Sequence, residues 1–254
     1  MKLILLAAGK GTRMASLTKD APKCLLNYRG KALINYTIDV AKANKITDFV
    51  IVTGYKADKL KETVGDQDVR FIYNDRYNET NMVHSLFCAQ HEFTSDIIVS
   101  YSDIIYEKSI LKQLLPNSNE ISVIVDKAWK DLWSLRMENP LDDAESMKIT
   151  TDGFIEELGK KTHDINEIQG QYIGLIKFPK IHLANIVSFY QSLDRSKRYD
   201  GQRFEQMYMT TFLQLLINNG MLIKAEKING GWLEFDSAQD LAAYEKLSSN
   251  TIGL

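Results

Sequence analysis

Leu3-Ile4-Leu5-Leu6-Ala7-Ala8 is an unbroken apolar run that ends directly in Gly9-Lys10-Gly11-Thr12-Arg13. A run without alternation offers no polar face to water, so it predicts a strand covered on both sides, as in a parallel sheet between helix layers. Glycine straight after such a strand is where an open α/β sheet places a phosphate loop, because backbone N–H groups there can approach a polyphosphate closely. Two familiar loops do not fit. A Walker A loop needs glycine where Ile4 stands, and the dinucleotide fingerprint needs glycine or alanine where Met14 stands. On these residues alone a turn with no phosphate role stays open. Met1 to Ala8 also opens like a secretory signal. Its apolar stretch is about half the usual length, and Gly9 to Arg13 fills the place of the cleavage site, so the run reads as a strand and the chain as cytoplasmic.

The rest of the chain continues the rhythm. Helical spacing spans Leu33 to Ala43 and Met82 to His91; strands are predicted at 49–53, 69–73 and 96–101, the last ending at Ser102-Asp103. Strands alternating with helices imply a Rossmann-like, three-layer α/β/α fold with a mostly parallel mixed sheet. After about Pro116 an inserted, β-rich portion is expected, with strands at 121–125, 147–150, 154–158 and 172–178. Helices follow at 181–193 and 204–218, then a strand at 221–228 and a final helix capped by Ser237 or Asp240. With no repeat or linker, residues 1–254 read as a single domain.

Composition narrows the function classes. Lys and Arg number 31 against 33 Asp and Glu, a net charge of −2 that leaves no bulk basic surface for nucleic acid or an anionic membrane. With 44% hydrophobic residues the chain is not disordered, and no stretch approaches the ~20 apolar residues of a membrane span. Cys24 and Cys88 cannot make a disulfide framework, which fits a reducing compartment.

The glycines do not stand alone. Leu6-Ala7-Ala8-Gly9-Lys10-Gly11-Thr12-Arg13-Met14, followed by Leu17-Thr18 and Pro22-Lys23, resembles the signature of nucleotidyltransferases that make sugar nucleotides and CDP-alcohols. Gly231-Trp232-Leu233-Glu234-Phe235-Asp236 is similar to a second segment of that family, with Phe235 in place of an aliphatic residue. The resemblance implies attack of a phosphate monoester on the α-phosphorus of a nucleoside triphosphate, with loss of pyrophosphate. Such a nucleophile is already anionic, so positioning and positive charge matter more than a general base. It also implies roles: Leu6, Ala7, Ala8, Gly9, Lys10, Gly11 and Thr12 around the nucleotide, Arg13 on the leaving phosphates, Lys23 at the α-phosphate and acceptor phosphate. Asp103 and Asp236 match the positions at which the family holds Mg²⁺, a cation that prefers a few carboxylate oxygens plus substrate phosphate. Residues 1–115 then form the nucleotide-binding half and 116–254 the acceptor-binding half.

Within the family, Glu79-Thr80-Asn81-Met82 and the stretch from Trp129 to Glu145 look like the cytidylyltransferases that act on small phosphorylated amines or amino acids, and Phe204 to Gln214 points to phosphoglutamine as acceptor. CTP is the implied donor, and a surface-polysaccharide precursor the implied product. Asn81 and Ser85 become candidates for contacts to base or ribose. Two acceptor chemistries stay open. Trp129, Trp133 and Tyr172 could cage a quaternary ammonium, as in phosphocholine. Arg136 could bind an amino-acid carboxylate, with Asp142 or Glu145 on its ammonium. A sugar-1-phosphate nucleotidyltransferase using UTP, dTTP or GTP is the alternative, and a non-catalytic nucleotide sensor a further one. A structural zinc on His84, Cys88 and His91 would need a fourth ligand; Cys88 reads more readily as core and His84 as cleft lining. Oligomeric state is open, a homo-oligomer included.

Overall fold

Both faces of the first strand, β1 (Lys2–Ala7), are buried, so its side chains divide between two cores. Leu3, Leu5 and Ala7 enter one core and Ile4 and Leu6 the other. A computed structural model describes residues 1–65, 68–116 and 118–247, the side chains of 15 and 16 excepted. The other strands are β2 (Asp48–Thr53), β3 (Val69–Tyr73), β4 (Ile97–Tyr101), β5 (Ile104–Tyr106), β6 (Ile121–Asp126), β7 (Glu145–Ile149), β8 (Ile155–Lys161), β9 (Gln171–Phe178), β10 (Ile223–Ile228) and β11 (Trp232–Glu234). The α-helices are α1 (Leu33–Ala43), α2 (Ala57–Val64), α3 (Met82–Cys88), α4 (Lys108–Gln113), α5 (Trp129–Arg136), α6 (Lys180–Ser192), α7 (Met209–Asn218) and α8 (Ala238–Glu245).

The central sheet runs β10-β6-β9-β4-β1-β2-β3 and is parallel except for β9, which lies antiparallel to β4 and β6. Buried residues of α1, α2, α4, α5 and α8 join the core on one face; those of α3, α6 and α7 join the other. This is the expected three-layer mixed sheet. From β1 the chain proceeds outward to β2 and β3 on one side, while β4 adds on the other. The carboxyl ends of β1 and β4 therefore flank a topological switch point, the usual ligand crevice of an open α/β sheet. Ser102 donates its hydroxyl to the Leu6 carbonyl at 2.7 Å and pins those two ends together.

Two predicted helices are shorter than their periodicity. The helix from Met82 ends at Cys88 and continues only as a 3₁₀ turn over Gln90–Glu92. The stretch from Phe204 makes a 3₁₀ turn to Gln206, passes through extended backbone, and becomes helical at Met209. The Glu205 carbonyl accepts from the Asn81 backbone N–H at 2.9 Å and the Gln206 carbonyl from the Asn81 side chain at 3.4 Å. Carbonyls engaged across the fold do not continue a helix, and the extended step sets Tyr208 on a cavity wall.

Two ladders matter for the site. The short strands β5 and β11 pair antiparallel, Ile104 opposite Glu234, and the Phe235 N–H donates to the Asp103 carbonyl at 2.9 Å. The inserted hairpin β7–β8 lies against α7.

Candidate active site

The glycine-rich turn leaves β1 into a 3₁₀ helix over Thr12–Thr18, anchored by the fully buried Met14. Gly11 sits at φ +64°, and a Cβ there would meet the Lys23 Cβ at 2.8 Å. Glycine is thus needed for the turn's left-handed step and for the close approach of the lysine stem. Pro22 sets the entry to the following 3₁₀ turn, which begins with Lys23. Cys24 beside it is sealed in the core, and burial pushes its thiol up to about 12.

Lys23 is the centre of the site. Its ammonium lies 2.6 Å from Asp103 Oδ2 and 2.8 Å from Asp236 Oδ1. The β5–β11 ladder brings these two carboxylates together from opposite parts of the chain. Arg13, whose side chain is 71% exposed, reaches the other oxygen of Asp236. Burial alone would lower the Lys23 pKa, but Asp103 and Asp236 outweigh it and hold it above the ordinary lysine value. Burial likewise raises Asp236, and Lys23, Arg13 and Arg136 pull it below the ordinary range.

A second tier holds this arrangement. Asp240 accepts from the backbone N–H groups of Asp236 and Ser237 at 2.7 and 2.9 Å, closing a capping box with Ser237 at the start of α8. The fully buried Asp126 accepts from Trp232 Nε1 at 2.8 Å and from the N–H groups of Ala128 and Gly230. Neither aspartate stands out in the sequence except as a cap or a strand end.

Two adjoining hollows of about 160 and 850 Å³ open beside Arg13, and Met82, Asp143, Glu145 and Tyr208 line both. Trp133, Tyr172, Glu234 and Asp236 face the smaller one; Asn81 and Lys161 face the larger. Burial pushes Glu145 up to about 7, with the Asp143 charge adding to it. Glu234 also rises to about 7 through burial, against the pull of Arg136. Among the described residues, Trp133 Nε1 and Asp103 Oδ1 are buried without a hydrogen-bond partner. Unsatisfied polar atoms at one place are the mark of a site that a ligand completes.

The structure gathers Arg13, Lys23, Asp103, Asp236, Asn81, Trp133, Glu145 and Tyr172 around these hollows, at the end of β1 where Leu6, Ala7, Ala8, Gly9, Lys10, Gly11 and Thr12 lie. It does not bring Arg136, Trp129 or Ser85 to them. The Arg136 side chain is only 2% exposed, with NH1 2.5 Å from Glu234 and Nε 3.4 Å from Asp240. It braces the Trp232–Asp236 segment and is not free to receive an acceptor carboxylate. Trp129 is buried edge-on against Trp133, so no aromatic cage includes it. Ser85 is buried and accepts from Asn74 Nδ2 at 3.0 Å, a structural contact. Tyr101 and Gln171 also line the smaller hollow, as do Tyr208, Met209 and Thr210 of the Phe204–Gln214 stretch. Position at a strand end could have flagged Tyr101.

Asp103 and Asp236 fit a magnesium ion. They converge on one cation, and Asp103 keeps a buried oxygen with no partner among the described residues. Among the described residues no group of three or more His, Cys, Asp or Glu side chains is placed to share a metal. A two-carboxylate site completed by substrate phosphate is the usual form for Mg²⁺. His84 and Cys88 line a separate hollow with Arg76 and Arg195, and α3 ends before His91, which interrupts the helical face a zinc site would have used. No helix among the described residues is long and apolar enough to cross a membrane.

The chain is also similar to known proteins in sequence and in fold. The chain is 44% identical to the CTP:phosphoglutamine cytidylyltransferase of Campylobacter jejuni over 95% of this chain and 98% of that protein. It is 28% identical to a choline-phosphate cytidylyltransferase of Streptococcus pneumoniae over 98% of this chain and 99% of that one. The solved CTP:phosphocholine cytidylyltransferase from Streptococcus pneumoniae superposes with a TM-score of 0.73 at 22% identity, covering 96% of this chain and 97% of that one, which shows a shared fold. Residues 3–136 match the family model described as the MobA-like NTP transferase domain, a span that takes in the glycine-rich turn, Lys23 and Asp103. The chain belongs to the MobA-like NTP transferase family.

Proposed function

We propose that this protein is a Mg²⁺-dependent cytidylyltransferase that moves CMP from CTP to the phosphate of a small phosphorylated amine or amino acid. The observation that carries this reading is the convergence of Lys23, Asp103, Asp236 and Arg13 at the mouth of a hollow walled by aromatic and acidic side chains. The full-length likeness to relatives named for phosphoglutamine and choline phosphate supports the donor and the acceptor class.

An acceptor phosphate oxygen forms the new bond to the α-phosphorus. The bond from that phosphorus to the bridging oxygen breaks, and pyrophosphate leaves with the electron pair. No proton has to move, because the monoester is largely a dianion at neutral pH. The barrier is repulsion between anions, which fixed cations lower without reorganising. Lys23, held charged and in place by two aspartates, serves the α-phosphate and the incoming oxygen. Arg13, extended into solvent, serves the leaving pyrophosphate, and backbone N–H groups of the Gly9–Gly11 turn orient the chain of phosphates. Asp103 and Asp236 would hold Mg²⁺, which supplies further positive charge against the α-phosphate when bound. Asn81, at the rim of the larger hollow, is the candidate for the nucleoside and would exchange its contact with the Gln206 carbonyl for one to the base or ribose. The product would be a CDP-linked precursor for modifying a surface polysaccharide, made in the cytosol.

Pyrophosphate release tests the reading across CTP, UTP, dTTP and GTP paired with phosphoglutamine, phosphocholine and hexose 1-phosphates, with and without Mg²⁺. Turnover confined to CTP with a small amine or amino-acid phosphate is expected, and only with the metal. Turnover with UTP and a hexose 1-phosphate instead sinks the cytidyl assignment, and CTP binding without any turnover sinks the enzyme assignment.

A further inference from the structure

Lys161 stands directly opposite Glu145 across the β7–β8 ladder, and both line the larger hollow. A change of register puts it there. The pairs run Glu157 with Lys148, Leu158 with Met147, then Lys161 with Glu145, so β8 carries one extra residue between the last two. In the unshifted register Lys160 would face Glu145. The insertion contains Gly159, at φ +87°, where a Cβ would come within 2.7 Å of the Thr210 Cβ. A bulge re-aims the side chains that follow it. Here Lys160 turns to Glu157, and Lys161 is delivered to the hollow.

Directly opposed residues in such a ladder have Cβ atoms about 4.5–5.5 Å apart, near enough for lysine and glutamate to meet. They do not. Among the described residues no ion pair engages the Lys161 ammonium, and none engages Glu145. A cation and a carboxylate set side by side and left apart are complementary to a ligand that carries both charges. Asp143 stands with Glu145 on the acidic side. Of the two arginines near the site, Arg136 is committed to Glu234 and Asp240, and Arg13 is the one assigned to the leaving pyrophosphate.

We propose that Lys161 binds the α-carboxylate of the acceptor while Glu145 and Asp143 take its α-ammonium, so that the preferred acceptor is a phosphorylated α-amino acid and not a simple phosphorylated amine. This rests on the cytidylyltransferase reading above. It replaces Arg136 as the carboxylate partner and gives the Gly159 bulge a purpose.

The test is pyrophosphate release from CTP with a matched pair of acceptors, phosphoglutamine and its decarboxylated analogue, which differ only in the α-carboxylate. One charge-assisted contact corresponds to roughly 10–100-fold in kcat/KM, carried mainly by KM. The wild-type enzyme should favour phosphoglutamine by that ratio. Lys161→Ala should bring the ratio near one, Lys161→Arg should restore part of it, and Lys161→Glu should invert it. CTP affinity, measured alongside, reports that each variant is folded. A wild-type ratio near one, or an equal fall for both acceptors in Lys161→Ala, overturns the inference. Failure of the underlying reading looks different: neither acceptor turns over, while UTP with a hexose 1-phosphate does, and the inference falls with it.

Discussion

The strand β1 ends at both extremities in a cluster of charges, and the two clusters differ in one respect. At its start, Lys2 donates to the Glu92 carboxylate and carbonyl at 2.6 Å each, and Arg70 donates to both Glu92 oxygens, at 2.8 and 2.9 Å, and to Asp48 at 2.6 Å. Both oxygens of Glu92 are engaged. At the other end Lys23 bridges Asp103 and Asp236, yet Asp103 keeps a buried oxygen with no partner among the described residues, and Arg13 lies largely in solvent. Each cluster joins a lysine and an arginine to two carboxylates; satisfaction differs. A saturated cluster fastens strand ends, whereas an unsaturated one has capacity left for a polyanion and a metal. This also reconciles near-neutral net charge with anionic substrates, since the cations that matter are few and local.

The largest effect should come from breaking the open cluster at its centre. Lys23→Ala is expected to lower kcat by about 10²–10³, the usual cost of one electrostatic contact to a developing charge. The Asp103–Asp236 pair, left without its cation, should then show increased protection by Mg²⁺ in thermal unfolding. Steady-state rates and melting curves with and without Mg²⁺ check both. A variant that keeps its rate would place the chemistry elsewhere.

Breaking the closed cluster should do the reverse. Glu92→Gln leaves the buried Lys2 ammonium with a neutral partner and is expected to cost about 1–3 kcal/mol of stability, with kcat changed less than twofold. Urea unfolding and a single rate measurement suffice. Acid should act in the same way. Arg70, then Lys2, hold the Glu92 carboxyl down to about 2. A lowered carboxylate contributes stability above its unfolded value near 4.5, and that contribution is lost as pH falls toward 2. Glu92→Gln should flatten that part of the stability profile.

The contrast explains how much was readable beforehand. β1 and its glycine turn follow from local composition, because burial on both faces leaves an unalternated apolar run. Asp103 was visible as a residue just past a strand, and Asp236 through the resemblance. Arg136 meets Glu234 and Asp240, partners that lie about a hundred residues later, through the β5–β11 pairing and the packing of α5 against α8, neither of which is legible locally. Lys161 was silent for a related reason. Its aim depends on a one-residue register shift at Gly159, and in the sequence it is one of two adjacent lysines. Periodicity is local; satisfaction of charge is tertiary.

The finest distinction between the two ends lies in two glutamates. Glu92 is fixed as an anion, whereas burial, then the Asp143 charge, pushes Glu145 up to about 7, with Asp200 adding to it and the Thr210 hydroxyl opposing. A carboxyl raised in the folded state binds more protons than in the unfolded chain, so its effect on stability turns against the fold as pH rises from about 4.5 to 7 and is constant above. Binding runs the other way. An acceptor ammonium needs the anion, so kcat/KM for the acceptor should rise with pH and level off above about 7. The acceptor phosphate also titrates near 6, so the wild-type profile alone does not isolate Glu145. Glu145→Gln does: it should lower kcat/KM by roughly tenfold at pH 8, remove the part of the rise between pH 6.5 and 7.5, and leave the phosphate's own limb in place. Parallel profiles for the two enzymes would mean that Glu145 is ionised throughout, and that this end of the molecule is as settled in charge as the other.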